Sequence, residues 1–250
     1  MSDSSPSYID GPSGRLAYAH VAGAGPTLVW LGGFRSDMAG TKALYLDQWA
    51  HEHNRAYLRF DYSGHGQSEG DFEDGCLSSW TDDAEAMINA ATDGPLVLIG
   101  SSMGAWVACL LARRLASRIK GAVFIAPAPD FTEALIWPSM DSETRETLMR
   151  EGRIEEETDY ADEPSVITKK LIEDGRDNLI LHEPVTIDGP VRILQGMADP
   201  DVPYAHAFRL AEALTSDDVM VVMTKSGDHR LSTDADLQRL AGAVESVVRG

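Results

Sequence analysis

The sequence has few cysteines, an excess of acidic over basic residues and no long apolar run. Its 250 residues include only two cysteines, Cys76 and Cys109, which are too few for a disulfide framework. The formal net charge is −19, from 21 basic and 40 acidic side chains. Because such a charge repels phosphate backbones and anionic lipid, we expect no binding to nucleic acid or to an anionic membrane surface.

Two further absences concern membranes and cofactors. No apolar run approaches the roughly 20 residues that a membrane-spanning helix needs. The first residues, MSDSSPSYIDGPSG, lack a basic segment followed by an apolar one, so we expect no signal peptide and a cytoplasmic location. The sequence shows neither metal-ligand spacing of Cys and His nor a phosphate-binding loop, and we expect no metal, nucleotide or flavin cofactor.

Short apolar segments alternate with helical patterns along most of the chain. Several candidate strands are nearly continuous in Val, Ile and Leu, as strands covered on both faces are. The predicted strands are residues 27–32, 56–62, 96–100, 122–126, 191–195 and 219–224, and the predicted helices are residues 39–53, 78–92, 103–117, 204–214 and 233–248. This alternation predicts an α/β fold with a mainly parallel central sheet flanked by helices, preceded by an antiparallel hairpin that includes residues 15–20.

Residues 127–188 interrupt the alternation. Three helical patterns, FTEALIW, DSETRETLMR and PSVITKKLIEDG, occur there without a convincing strand. The segment is far longer than an ordinary connection between elements. We therefore predict a helical cap inserted between the two parts of one core, residues 1–126 and 189–250.

The segment IGSSMGAWVACLLA places two serines between a buried strand pattern and a buried helix pattern. In a G-x-S-x-G elbow the serine occupies a strained turn, and the residues two before and two after it must be small. Gly100 and Gly104 meet this requirement for Ser102, whereas bulky residues would occupy both positions around Ser101. We predict Ser102 as a nucleophile, and an ordinary strand-to-helix turn is the alternative.

This arrangement resembles the alpha/beta hydrolase family, in which a catalytic serine, acid and histidine follow one another in that chain order. The resemblance implies a histidine after the last strand, and of the seven histidines only His229 is so placed. The resemblance also implies an acid after the strand that precedes the last one. There the family pattern G-x-x-D, followed by Val-Pro, matches Asp199. We expect Asp201 to cap the next helix, and Asp228, beside the histidine, is the weaker alternative for the acid.

Five motifs extend the resemblance over most of the chain: LGGFRSDMAGTKA, RFDYSGHGQSEG, GSSMGAW, LQGMADPDVP and SGDHR. They are similar to the subgroup typified by alpha/beta hydrolase domain-containing protein ten, which acts on palmitoyl-protein thioesters and acyl glucuronides. The resemblance implies a serine esterase or thioesterase whose oxyanion hole consists of the backbone N–H groups of Phe34 and Met103.

The implied substrate is a small molecule or an acylated protein that carries an ester or thioester. The same three side chains would also support C–C bond hydrolysis or perhydrolysis without a cofactor. The alternative from another functional class is a protein that has this fold but binds a ligand without catalysing a reaction.

Pocket residues are open to two interpretations. Four apolar cap residues could line an acyl pocket or could simply pack the cap onto the core: Ile136, Trp137, Met140 and Met149. Arg35, beside the oxyanion loop, could meet a substrate carboxylate or remain a solvated charge. His65 and Ser68 in GHGQS imitate a reactive pair, but we assign that loop a structural role in which Asp61 and the glycines fix the turn.

Overall fold

A mixed sheet forms the centre of the computed structural model, which describes residues 6–156 and 164–249. Its strands are β1 (Ser7–Gly11), β2 (Gly14–Val21), β3 (Ala24–Leu31), β4 (Arg55–Phe60), β5 (Leu96–Ser101), β6 (Ile119–Ile125), β9 (Val191–Gly196) and β10 (Val219–Thr224). Their order in the sheet is β1-β2-β4-β3-β5-β6-β9-β10. Strand β2 pairs antiparallel with β1 and β4, and all other neighbours are parallel. The predicted α/β fold is confirmed.

Helices cover both faces of this sheet, and they are α1 (Thr41–Glu52), α2 (Leu77–Ala91), α3 (Met103–Arg114), α7 (Tyr204–Ala213) and α8 (Asp234–Arg249). Three further helices, α4 (Trp137–Ser139), α5 (Ser142–Glu151) and α6 (Lys169–Asp177), lie in the segment between β6 and β9. Alternate residues of β3 point to opposite faces, as the pleat requires. Val29 and Leu31 pack with α2, α3 and α7, whereas Leu28 and Trp30 pack with α1 and α8.

The segment predicted as a helical cap is mainly helical but also contains a two-stranded sheet. Strands β7 (Arg153–Glu156) and β8 (Ser165–Thr168) pair antiparallel. The prediction of one helical segment through PSVITKKLIEDG is therefore wrong in its first half, because a run of β-branched residues favours extended backbone there. Helix α6 begins only at Lys169, after the side chain of Thr168 caps it by accepting the N–H of Leu171.

The cap has a small apolar centre of its own, formed by four buried residues: Met140, Leu148, Ile167 and Ile172. Both cysteines are buried and unpaired. Within the described part of the chain, none of the helices combines the length and apolarity that crossing a membrane requires. The cap boundaries at residues 127 and 188 stay a prediction.

Candidate active site

The turn at Ser102 is so tight that neither of the two glycines around it could carry a side chain. A Cβ atom on Gly100 would lie 2.6 Å from the carbonyl oxygen of Gly104, and one on Gly104 would lie 2.0 Å from the carbonyl oxygen of Leu31. Ser102 itself has φ 53° and ψ −117°, a conformation that non-glycine residues rarely adopt. The turn joins β5 to α3 and presents the hydroxyl at the carboxyl ends of the parallel strands.

A hydrogen-bonded series of three side chains crosses this edge of the sheet. The Oγ of Ser102 lies 3.1 Å from Nε2 of His229, and Nδ1 of His229 lies 2.9 Å from Oδ2 of Asp199. With Nδ1 protonated, the imidazole donates to the carboxylate and leaves Nε2 to accept the serine hydroxyl proton. The histidine side chain is 17% exposed and the aspartate side chain 0%. The geometry therefore suits transfer of a proton from the hydroxyl to the imidazole.

Asp199 is held by several donors besides the imidazole. Its Oδ1 accepts the backbone N–H groups of Asp201 and Val202, each at 2.9 Å, and its Oδ2 accepts Nε2–H of Gln195 at 3.1 Å. Burial alone would raise the pKa of Asp199, but the hydrogen bond and charge of His229 together with the backbone donors outweigh it and lower that pKa. The carboxylate thus stays ionised beside the imidazole.

Asp201 and Asp228, the two other acidic residues considered from the sequence, make different contacts from those of Asp199. Asp201 does not cap α7, because that helix follows Pro203 and has no side-chain cap. The expectation for Asp201 was wrong, and its N–H instead supports Asp199. Asp228 accepts the N–H of Leu231 at 2.9 Å and so shapes the turn that carries the histidine.

The side chains of His65 and Ser68 each contact a different backbone carbonyl group. His65 is 4% exposed, and burial lowers its pKa to about 4. Its Nδ1 lies 3.1 Å from the carbonyl oxygen of Ser63. The Oγ of Ser68 donates to the carbonyl oxygen of Asp61 at 2.7 Å. The pair therefore serves the turn after β4, as the structural interpretation expects.

The proposed oxyanion loop approaches Ser102 closely. A Cβ atom on Gly33 would lie 3.4 Å from the Cβ of Ser102, and Phe34 follows directly. Met103 is the first residue of α3, where a backbone N–H has no acceptor within the helix. The role of Phe34 and Met103 as oxyanion donors stays a prediction.

Asp61 joins this loop to the turn after β4. Its Oδ1 accepts the N–H of Met38 at 2.6 Å, and its Oδ2 accepts the N–H of Gln67 at 2.8 Å. Gly66 (φ 48°) leaves room for the carboxylate, since a Cβ there would lie 2.2 Å from Oδ2. Burial raises the pKa of Asp61, although both backbone donors act against it. This contact explains why RSDMAG and RFDYSGHG occur together in one chain, a link that sequence reasoning did not find.

A cleft of about 610 Å³ contains Ser102 and His229. Arg35 lines it, but Arg35 is not simply solvated. Its guanidinium lies 5.0 Å from the centroid of the Phe72 ring, and its Nη1 donates to the carbonyl oxygen of Pro164 at 3.2 Å. Arg35 therefore connects the loop to the cap.

The four apolar cap residues are not part of this lining within the ranges that the structure describes. Met140 is buried in the small cap cluster, and Ile136 and Trp137 pack partly against it. Met149 is half-buried on α5. This packing agrees with the structural interpretation, and their role in an acyl pocket stays a prediction.

One group of possible metal ligands occurs among the described residues. Ligand atoms of Asp199, Asp201 and His229 all lie within 4.8 Å of one another. In this group, His229 already bonds to both Asp199 and Ser102.

Comparisons with known proteins agree with this fold. A family model described as "Serine aminopeptidase, S33" matches residues 39–160. The protein named "Palmitoyl-protein thioesterase ABHD10, mitochondrial" from Bos taurus is 31% identical over 93% of this chain and 76% of its own length. The protein of that name from Homo sapiens is 30% identical over the same shares. Since both names include the word mitochondrial, a cytoplasmic location stays a prediction.

Solved structures extend the similarity over nearly the whole chain. A putative hydrolase from Agrobacterium vitis S4 has a TM-score of 0.94 and 42% identity, with 98% of each chain covered. Alpha/beta hydrolase domain-containing protein 10 from mouse has a TM-score of 0.90 and 27% identity, with 98% of this chain and 99% of that chain covered. Est1E from Butyrivibrio proteoclasticus, solved with ferulic acid, shares the fold at a TM-score of 0.77 and 22% identity, with 96% of each chain covered.

Proposed function

The chain belongs to the alpha/beta hydrolase family, and we propose that it is a serine hydrolase that cleaves carboxylic esters or thioesters. The observation that carries the proposal is the hydrogen-bonded series of Ser102, His229 and Asp199. The printed name of the relatives, a palmitoyl-protein thioesterase, supports an acyl group as the part of the substrate that is transferred. S-acylated protein cysteines are therefore one proposed substrate class, beside small-molecule esters.

In the first half of the proposed reaction, the Oγ of Ser102 attacks the acyl carbonyl carbon. Nε2 of His229 takes the hydroxyl proton as the new C–O bond forms. The backbone N–H groups of Phe34 and Met103 stabilise the negative charge on the carbonyl oxygen, and the positive end of α3 adds to this stabilisation.

In the second half, the protonated His229 gives its proton to the leaving alcohol or thiol. Water then attacks the acyl-enzyme, His229 takes a proton from the water, and the acid is released as Ser102 is restored. Asp199 remains ionised throughout. It fixes the histidine tautomer and stabilises the imidazolium in both halves, consistent with its lowered pKa.

The test compares the two neighbouring serines. Ser102→Ala should abolish hydrolysis of p-nitrophenyl butyrate and labelling by a fluorophosphonate, both of which Ser101→Ala should retain. Ser101→Ala is a matched control, because Ser101 is the neighbouring serine of the elbow and is buried at the end of β5. Labelling that persists in Ser102→Ala would contradict the assignment. Wild-type protein that never reacts with the phosphonate would favour the binding-protein alternative.

A further inference from the structure

The last strand of the central sheet, β10, is an edge strand with an apolar sequence. It pairs with β9 on one side, and no other strand in the described part of the chain pairs with its outer side. Its sequence, VMVVMT, contains neither a charge nor a proline, and its ladder with β9 has no bulge. Charges, prolines and bulges are the usual devices that keep an edge strand from pairing with another chain. Strand β10 therefore remains a template for a further strand.

The opposite edge of the sheet is formed by β1, which is built differently. Its sequence, SYIDG, carries the charge of Asp10 and ends in Gly11. A charged side chain and a glycine both make a strand a poorer template for pairing. The contrast between the two edges singles out β10.

One face of β10 also exposes apolar side chains. Met220 is 53% exposed and Val222 is 36% exposed. Val222 is paired with Leu194, which belongs to the apolar cluster of α8, but no described residue of β10 belongs to that cluster. The alternate residues Val219 and Val221 pack partly against the large core cluster on the other face. Helix α8 thus stops short of covering β10.

The hydrogen bonds to β9 show which backbone groups of β10 are directed outward. The N–H of Val191 donates to the carbonyl oxygen of Asp218 at 2.8 Å, and the N–H of Met197 donates to that of Thr224 at 2.9 Å. Because the backbone groups of successive residues alternate between the two sides of a strand, the even-numbered residues of β10 bond to β9. The outward N–H and C=O groups belong to the odd-numbered residues, which are Val219, Val221 and Met223.

A second copy of β10 fits these outward groups in one register. An antiparallel partner related by a two-fold axis normal to the sheet places one residue directly opposite itself. Opposed residues that exchange both hydrogen bonds must have outward backbone groups, so this residue is odd-numbered. With Val221 on the axis, Val219 faces Met223 of the second copy and all outward groups are paired. On the exposed face, Met220 then lies opposite Val222 of the second copy.

The charges beside β10 suit the same register. Asp217 and Lys225 are exposed and equally distant from Val221 along the chain, so each lies opposite the other residue of the second copy. Asp218 is already neutralised, because its carboxylate accepts Nη1 and Nη2 of Arg192 at 2.8 and 3.1 Å. The charge at this edge is therefore balanced in a chain of net charge −19. Repulsion between more distant charges is screened beyond about 8 Å at physiological ionic strength.

We propose that β10 pairs with β10 of a second copy of this chain, antiparallel across a two-fold axis at Val221, so that the two sheets continue as one. The contact covers Met220 and Val222 of both copies in one apolar patch. It also gives the outward N–H and C=O groups their partners, which fixes the direction and register of the contact. The inference does not depend on the reaction at Ser102.

The first test measures the mass of the full chain by sedimentation equilibrium at concentrations up to about 100 μM. We expect a dimer for the wild type. Met220→Glu places a carboxylate in the apolar patch and should raise the dissociation constant on the order of 100-fold or more. Tyr8→Glu is the matched control, because Tyr8 is 43% exposed on the opposite edge strand, and it should remain dimeric. Far-UV circular dichroism of both variants should match that of the wild type.

The second test reverses the charges at the two ends of the contact. Asp217→Lys or Lys225→Glu alone should raise the dissociation constant of the dimer about three- to thirtyfold, because like charges then meet at both ends. The double variant restores opposite charges and should return the dissociation constant close to the wild-type value. A role of either residue within one copy alone would not produce this recovery.

The third test probes the register with cysteines. In Met220→Cys/Val222→Cys, the opposed cysteines of the two copies have Cα atoms about 4.5 Å apart, a distance that suits a disulfide. Mild oxidation should link most of this variant as dimers, whereas each single variant should link far less. The native cysteines are buried and should not contribute. If Met220→Glu does not fold, the cross-linking result decides.

Two results would overturn the proposal. One is a wild type that stays monomeric over the whole concentration range. The other is a dimer that survives Met220→Glu and is not linked in the double cysteine variant, which would mean that the two copies meet through another face.

Discussion

The core edge and the cap differ in how their residues are held. At the core edge, buried carboxylates of Asp61 and Asp199 accept backbone N–H groups and fix the loops around Ser102. The cap has a small apolar cluster of its own, against which Phe34 packs, and it meets the core mainly through apolar side chains such as Phe131 and Leu171, together with the hydrogen bond of Arg35 to Pro164. The reaction geometry thus depends on contacts within the core.

This difference leads to a general expectation. Substitutions of the reacting side chains at the core edge should act on the chemical step, and substitutions in its tight turns should act on stability. Substitutions in the cap should act on local stability or on substrate choice. The four predictions below proceed from the largest expected effect to the smallest.

Loss of the imidazole should have the largest effect. His229→Ala should lower kcat for p-nitrophenyl butyrate on the order of 10⁴-fold or more, because His229 is the base that bonds to Oγ of Ser102. His182→Ala, at an exposed position after α6, is the matched control and should keep wild-type kinetics. Steady-state kinetics would contradict the account if His229→Ala remained within about tenfold of wild type.

Loss of the charge on Asp199 should be the next largest effect. Asp199→Asn should lower kcat about 10³- to 10⁴-fold, since an amide favours the wrong histidine tautomer. Asp228→Asn retains an oxygen that can accept the N–H of Leu231 and should cost far less. The same kinetic assay checks both variants. A larger loss in Asp228→Asn than in Asp199→Asn would mean that the two carboxylates had been assigned the wrong way round.

The elbow glycine should affect stability. Gly104→Ala would place its Cβ 2.0 Å from the backbone oxygen of Leu31, and we expect a loss of about 2 kcal/mol or more in the free energy of unfolding. Gly242→Ala, in α8, should instead raise it by about 0.5–1 kcal/mol, because no described atom beyond the neighbouring residues and the backbone of the same helix lies within 4 Å of the new Cβ. Urea unfolding measures both. A Gly104→Ala protein as stable as wild type would contradict the described turn.

A cap substitution should have the smallest effect. Met149→Ala removes a half-buried side chain that does not line the cleft in the described ranges, so kcat/KM for butyrate, octanoate and palmitate esters should each change less than about twofold. A loss confined to the longest ester would instead place Met149 in an acyl pocket. That result would weaken the contrast between cap and core.

The sequence was sufficient to predict the parts of the fold that depend on local pattern. Runs of Val, Ile and Leu give the parallel strands because both faces of the sheet are covered, and the small residues around Ser102 are required by the turn itself. The resemblance to the alpha/beta hydrolase family, with its chain order of serine, acid and histidine, then led to Asp199 and His229.

Other features depend on contacts between distant segments and could not be read from one sequence. Strand β7, with its sequence RIEE, has no apolar alternation and is extended because it pairs with β8. The link from Asp61 to Met38 crosses 23 positions, and that from Lys42 to Arg230 crosses 188. The indole N–H of Trp30 has no acceptor among the residues that the structure describes, and this becomes visible only when its surroundings are known.

The most direct test of the central claim is the site of acylation during turnover. Rapid acid quenching of the enzyme with p-nitrophenyl butyrate, followed by peptide mapping by mass spectrometry, should find one butyryl group on Ser102. The adduct should be absent from Ser102→Ala and should still form on Ser101→Ala. A butyryl group on Ser101 or on any other side chain, or turnover without an adduct in a variant that slows deacylation, would contradict the account.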